Sequence, residues 1–236
     1  MANLGLPPRI EVCLFDLDGV LTQTARVHAA AWKETLDDWL RGRGQPFVPF
    51  DITTDYVRYV DGKPREDGVR SFATARGIVL TNAEVHAIGD RKNRLVVQFL
   101  HEHPVVAYGG SVRYVRAVRD AGLRTAVVSS SKNTPLVLSA AGISGLFHAC
   151  IDGAIAEQRH LAGKPSPETY LAAADALAVA PARAAVFEDA LAGVEAGRAG
   201  QFGFVVGVDR AGQAIALREH GADVVVSDLA NLLEVP

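Results

Sequence analysis

Six short apolar runs rich in β-branched residues punctuate the chain: Ile10 to Phe15, Leu123 to Ser129, His148 to Ile151, Ala184 to Glu188, Phe202 to Val208 and Asp223 to Val226. Runs such as TAVVSS and FGFVVGV are apolar almost without interruption, which suits strands covered on both faces of a parallel sheet. Amphipathic helical patterns lie between them, over Pro135 to Ala141, Pro167 to Leu177 and Leu191 to Ala199. The alternation predicts an α/β fold, an open, doubly wound parallel sheet of Rossmann-like topology.

From Thr24 to about His103 the rhythm changes. HAAAWKETLDDWL spaces its apolar residues as a helix does, RGRGQP ends that helix with glycines and proline, and GKPRED turns into the helical GVRSFATARGI. No convincing β-rich run occurs there. The expected organisation is a core domain of residues 1–23 and 104–236, interrupted by an all-helical insert over residues 24–103. There is no internal repeat.

Composition changes this picture little. Of the 236 residues, 49% are apolar and 22% charged, with a net charge of −3, so neither disorder nor a nucleic-acid partner is expected. The N-terminal MANLGLPPRI has no basic n-region followed by an apolar stretch, so no signal peptide is expected, and no apolar run approaches the ~20 residues that span a bilayer. A cytoplasmic monomer with no membrane partner is expected. Cys13 and Cys150 read as buried, reduced thiols.

Ligands of open α/β sheets bind at the carboxyl ends of the strands. Asp16 and Asp18 end the first strand, Ser129 to Ser131 with Lys132 and Asn133 the second, and Glu188 and Asp189 the fourth; Lys164 precedes a helix that Pro165 could start. Four carboxylates in one crevice require a cation, and a hard divalent ion held by oxygen, Mg²⁺, meets that need. Ser129, Lys164 and helix N-termini supply the donors that a phosphoryl group needs. In an extended strand Asp16 and Asp18 point to one side, so one carboxylate can attack phosphorus while the other moves a proton.

FDLDGVL, VVSSSKN, GKPSPETY and VFEDALAGVEAG resemble the four motifs of the haloacid dehalogenase superfamily of aspartate-nucleophile phosphotransferases. Within it, Thr24, HAAAWK over His28 to Lys33, DGKPRED and RKN resemble the helical cap of the β-phosphoglucomutase family. The resemblance implies that Asp16 is the phosphorylated nucleophile and Asp18 the general acid and base. Asp16, the Asp18 carbonyl, Glu188 and Asp189 would surround Mg²⁺, with Ser129 and Lys164 on the transferring phosphate. It further implies that Arg65, with Ser131, Lys132 and Asn133, grips the distal phosphate of a sugar phosphate. His28 and Lys92 would approach Asp18 and the sugar hydroxyls, Trp32 would support the cap and Thr24 the hinge.

The expected activity is the interconversion of β-glucose 1-phosphate and glucose 6-phosphate through a 1,6-bisphosphate, with a sugar-phosphate phosphatase as the alternative. Three features depart from the family pattern: Ala190 where serine is common, the longer and more basic AEQRHLAGKP, and extra residues around RGRGQPFVPFDITTDYVRY. HEHP, at His101 to Pro104, offers two imidazoles without a fourth ligand at metal spacing and reads as a solvated linker.

Overall fold

A computed structural model describes residues 4–43 and 46–233. Gly44 and Gln45, part of the expected RGRGQP turn, lie outside them. Six strands form one parallel sheet: β1 (Val12–Phe15), β2 (Arg124–Val128), β3 (Ala149–Ile151), β4 (Ala184–Glu188), β5 (Phe204–Val208) and β6 (Val224–Val226). Their order across the sheet is β3-β2-β1-β4-β5-β6. All six predicted strands are present, β4 with the predicted bounds and the other five shortened at one or both ends.

The central strand shows why its run is apolar without alternation. Val12 and Leu14 pack on one face with Tyr170, Ala173 and Ala174 of helix α7 (Glu168–Ala176). Cys13 and Phe15 pack on the other with Tyr114, Val115 and Val118 of α4 (Gly109–Asp120). Phe15 stacks on Phe187 of β4 at 4.4 Å between ring centroids. Burying each large apolar side chain is worth about 2 kcal/mol, so both faces of β1 contribute to one core. The remaining helices of this part are α5 (Thr134–Ala140), α6 (Gly153–Gln158), α8 (Leu191–Ala199) and α9 (Ala214–Glu219).

Between β1 and α4 lie α1 (Ala25–Arg41), a π-helical turn (Tyr56–Val60), α2 (Arg65–Ala75) and α3 (Asn82–Glu102). They bury a separate cluster of Trp32, Leu36, Phe50, Val60, Val69, Phe72, Val85 and Ile88. Thr81 and Glu84 form a capping box at the start of α3. Asp37 accepts from the Phe50 amide at 2.7 Å and from Lys33 at 2.8 Å, tying the extra cap segment to α1. Among the described residues no helix is long and apolar enough to cross a membrane.

Two local expectations change. The helix after Lys164 starts at Glu168, since Lys164 and Pro165 belong to the preceding turn. Cys13 is buried and free, whereas Cys150 is only half-buried, because it sits on β3 at the sheet edge.

Candidate active site

The parallel register brings the ends of β1, β2 and β4 side by side. Past Phe15 the Asp16 amide still donates to Phe187 O at 3.0 Å, so Asp16 remains anchored to β4 as the chain leaves the sheet. Gly19 then turns it back with φ +94°. A Cβ at Gly19 would lie 1.8 Å from Asp189 Oδ2, so only glycine lets the two loops meet.

Beneath this turn Lys164 is buried, with Nζ 2.5 Å from Asp16 Oδ1 and 2.5 Å from Glu188 Oε1. Val128 O accepts from the same ammonium at 3.2 Å, and Tyr170 donates to Glu188 Oε1 at 2.8 Å. Burial alone would lower the Lys164 pKa, but Asp16 and Glu188 outweigh it and the group stays charged. Asp16 is pushed well up by burial, with Lys164 pulling it down and Glu188 pushing it further up. Burial raises Asp189 too, assisted by Asp61, Asp16 and Glu188.

Oxygens of Asp16, Glu188 and Asp189 lie within 4.8 Å of one another. Three carboxylates against one ammonium leave two negative charges uncompensated in a buried place. A divalent cation carries that charge and prefers an all-oxygen donor set, so these residues fit a divalent metal. The Asp18 side chain turns away from the cluster. It accepts a short hydrogen bond from Thr24 Oγ1, which is also 2.6 Å from Thr22 Oγ1.

Asp18 Oδ1 faces His28 Nε2 of α1 at 3.4 Å. Behind it Lys92 Nζ of α3 is 2.6 Å from His28 Nδ1 and 5.2 Å from the centre of the Trp32 ring. Burial first, then Lys92, lowers His28 to about 4 against the opposing pull of Asp18. Lys92 falls to about 7, lowered by burial, raised by Asp18 and lowered again by Arg65.

These groups line a cavity of about 310 Å³ that Arg65, Ser131, Lys132 and Asn133 line as well. Arg65, in the first turn of α2, approaches Asp90 at 3.5 Å. Asn133 donates to Asn93 of α3 at 3.0 Å, and Ser130 Oγ donates to Gly62 O at 2.7 Å, so the helical segment touches the sheet-end loops on both sides. Ser129 Oγ accepts from the Ser131 amide at 3.1 Å.

The family model for haloacid dehalogenase-like hydrolases matches residues 10–201, which spans β1 to α8 and every carboxylate of the cluster. The chain belongs to this family. Within the haloacid dehalogenase-like proteins it is 50% identical to the β-phosphoglucomutase of Mycobacterium bovis over 98% of this chain and 94% of that one. It is 33% identical to the β-phosphoglucomutase of Bacillus subtilis, covering 94% and 92% of the two chains. Its fold is similar to the crystal structure of β-phosphoglucomutase from Clostridium difficile, with a TM-score of 0.77, 27% identity and coverage of 94% and 93%.

In this haloacid dehalogenase-like chain the structure gathers every residue singled out from the sequence. Asp16, Asp18, His28, Trp32, Arg65, Lys92, Ser129, Ser131, Lys132, Asn133 and Asp189 line the cavity. Lys164 and Glu188 lie below its floor, and Thr24 reaches it through Asp18. Sequence reasoning passed over Asp61, Tyr56, Asn93 and Glu157, which line the same cavity. Asp61 is raised to about 7, above all by burial, with Tyr56 pulling it down. Its signal was present in DGKPRED, as that of Asn93 was in RKN; spacing drew attention only to their basic neighbours. Glu157 pairs with Lys132 at 2.8 Å, and nothing local in the sequence marks that contact.

Proposed function

We propose that the chain is a Mg²⁺-dependent β-phosphoglucomutase of the cytoplasm, acting as a monomer, in which residues 24–103 form a cap over the core. The observation that carries this reading is that one cavity is lined both by Asp16 and Asp18 and by a set of cationic and amide groups, Arg65, Lys132 and Asn133, suited to a second phosphate. A phosphatase for monophosphates has no need of the second anion subsite, whereas a mutase must hold a bisphosphate by either end. The 50% identity to a β-phosphoglucomutase over almost the whole chain supports the same reading.

In the proposed cycle Asp16, already phosphorylated from the 1,6-bisphosphate, gives its phosphoryl group to a hydroxyl of glucose 1-phosphate; Asp18 takes up the hydroxyl proton and Asp16 leaves as the free carboxylate. The bisphosphate turns end for end, the Asp16 carboxylate attacks the other phosphorus, the bond from that phosphorus to the sugar oxygen breaks, and Asp18 returns the proton to the departing oxygen, so that glucose 6-phosphate leaves and Asp16 is phosphorylated again. Ser129 and Lys164 steady the transferring group; Arg65, Ser131, Lys132 and Asn133 hold the distal one. Asp16, the Asp18 carbonyl, Glu188 and Asp189 would hold Mg²⁺, which when bound offsets negative charge at the phosphoryl group. His28 and Lys92 orient Asp18 and meet the sugar hydroxyls, Trp32 supports them, and Thr24 sits at the hinge. Closure of the cap keeps water from the phosphoaspartate.

The deciding measurement supplies β-glucose 1-phosphate, a trace of the 1,6-bisphosphate and Mg²⁺. Glucose 6-phosphate should accumulate in far greater amount than inorganic phosphate. Release of phosphate alone would assign the chain to the phosphatases instead.

A further inference from the structure

The loop after β5, residues 209–213, does not line the cavity, yet it reaches two of the loops that build it. Arg210 Nε donates to Gly19 O at 2.9 Å, and Gln213 Nε2 donates to Asp189 O at 2.9 Å. The loop itself is braced. Asp209 Oδ1 accepts from the amides of Ala211, Gly212 and Gln213 at 2.7 to 3.1 Å. The Arg210 guanidinium lies 3.7 Å over the Tyr108 ring, donates to Ser227 O at 2.7 Å and faces Asp228 at 3.6 Å.

The two carbonyls it holds are well chosen. Gly19 N donates to Thr22 O at 2.8 Å, which orients the Asp18–Gly19 peptide and with it the Asp18 carbonyl. Arg210 holds the next peptide through Gly19 O, so it bears on the Asp18 carbonyl by fixing the turn at Gly19. Gln213 fixes the backbone of Asp189, whose carboxylate belongs to the buried acidic cluster. Gly19 and Asp189 are in contact, so an error in either loop would displace the other. The two side chains hold these bonds although buried Arg210 Nη2 and Gln213 Oε1 each have no hydrogen-bond partner. Buried polar atoms left unmatched cost stability and concentrate where geometry serves function.

We propose that Arg210 and Gln213 are positioning residues for the divalent-metal site: they set the Asp18 carbonyl and the Asp189 carboxylate at the separation the ion requires. The proposal rests on the metal reading given above. Groups behind metal ligands typically govern affinity by about 10- to 100-fold.

The test measures Mn²⁺ binding by electron paramagnetic resonance on the full chain without substrate, together with the melting temperature and the Mg²⁺ dependence of turnover. Gln213→Leu keeps the side chain's size and removes its donor; Arg210→Lys keeps charge over Tyr108 and loses the directed Nε bond. Each should raise the Mn²⁺ dissociation constant about tenfold or more and shift the Mg²⁺ requirement to match, with kcat largely recovered at saturating metal. Tyr114→Phe, which removes a buried hydrogen bond to Leu4 O while leaving the ring against Phe15 and Phe187, serves as the stability control. Unchanged Mn²⁺ affinity in both variants overturns the proposal, as does equal weakening in Tyr114→Phe. Wild-type chain that binds no Mn²⁺ overturns the metal reading itself, and this inference with it.

Discussion

Lys92 Nζ lies 2.6 Å from His28 Nδ1, and the opposite nitrogen of that imidazole faces Asp18 at 3.4 Å. With His28 lowered to about 4 and Lys92 to about 7, the ring is neutral near pH 7. A protonated Lys92 then donates to Nδ1 and leaves the ring proton on Nε2, directed at Asp18. Above about pH 7 the free enzyme loses the Lys92 proton, so kcat/KM should fall along that limb. Lys92→Arg, which stays charged, should move the limb to higher pH in a pH–rate profile.

The same lysine gives a stability prediction with a definite sign. Its folded pKa of about 7 is below the ordinary lysine value of 10.5, so between these values the unfolded chain binds the extra proton and stability rises with pH. Below about pH 7 the buried charge costs most. Urea unfolding should find Lys92→Met more stable than wild type at pH 6, with the advantage shrinking towards pH 10.5. A constant difference across that window would contradict the assignment.

Removing Lys164 should be far more harmful than its single charge suggests. It is the ammonium between Asp16 and Glu188, fully buried with Glu188, and a lone buried carboxylate is strongly destabilising. Lys164→Ala should lose about 3–5 kcal/mol in denaturant titrations. Added Mg²⁺ should restore part of it by binding the folded state.

Arg65 separates the two chemical readings. Arg65→Ala should weaken bisphosphate binding by about 10- to 100-fold, the usual value of hydrogen bonds to a charged group, while hydrolysis of small monophosphates changes little. Steady-state KM values for the two reactions provide the comparison. Equal loss in both would mean that Arg65 does not recognise the distal phosphate.

Glu157 holds Lys132 at 2.8 Å with both side chains largely solvated, an arrangement of small intrinsic stability. A distal phosphate must compete with it for the same ammonium. Glu157→Gln should therefore tighten bisphosphate binding several-fold at low ionic strength, and the gain should fade as salt is added. Calorimetric titrations at two salt concentrations would reveal it.

The sequence determined the parallel sheet, because each strand is buried on both faces and its apolar run is a local property of the chain. It also determined which residues carry chemistry, since strand ends are legible as places where apolar runs stop at Asp16, Ser129 and Glu188. Tertiary structure alone decided who meets whom. Lys164 joins Asp16 across 148 residues, and Lys92 joins His28 across 64; such contacts depend on strand order and on the packing of α1 against α3, which no periodicity encodes. Asp61, Arg210 and Gln213 look like ordinary loop polarity, and Glu157 like an exposed helix charge, until the fold brings each to its partners. Those contacts, rather than the residues' identities, give them work to do.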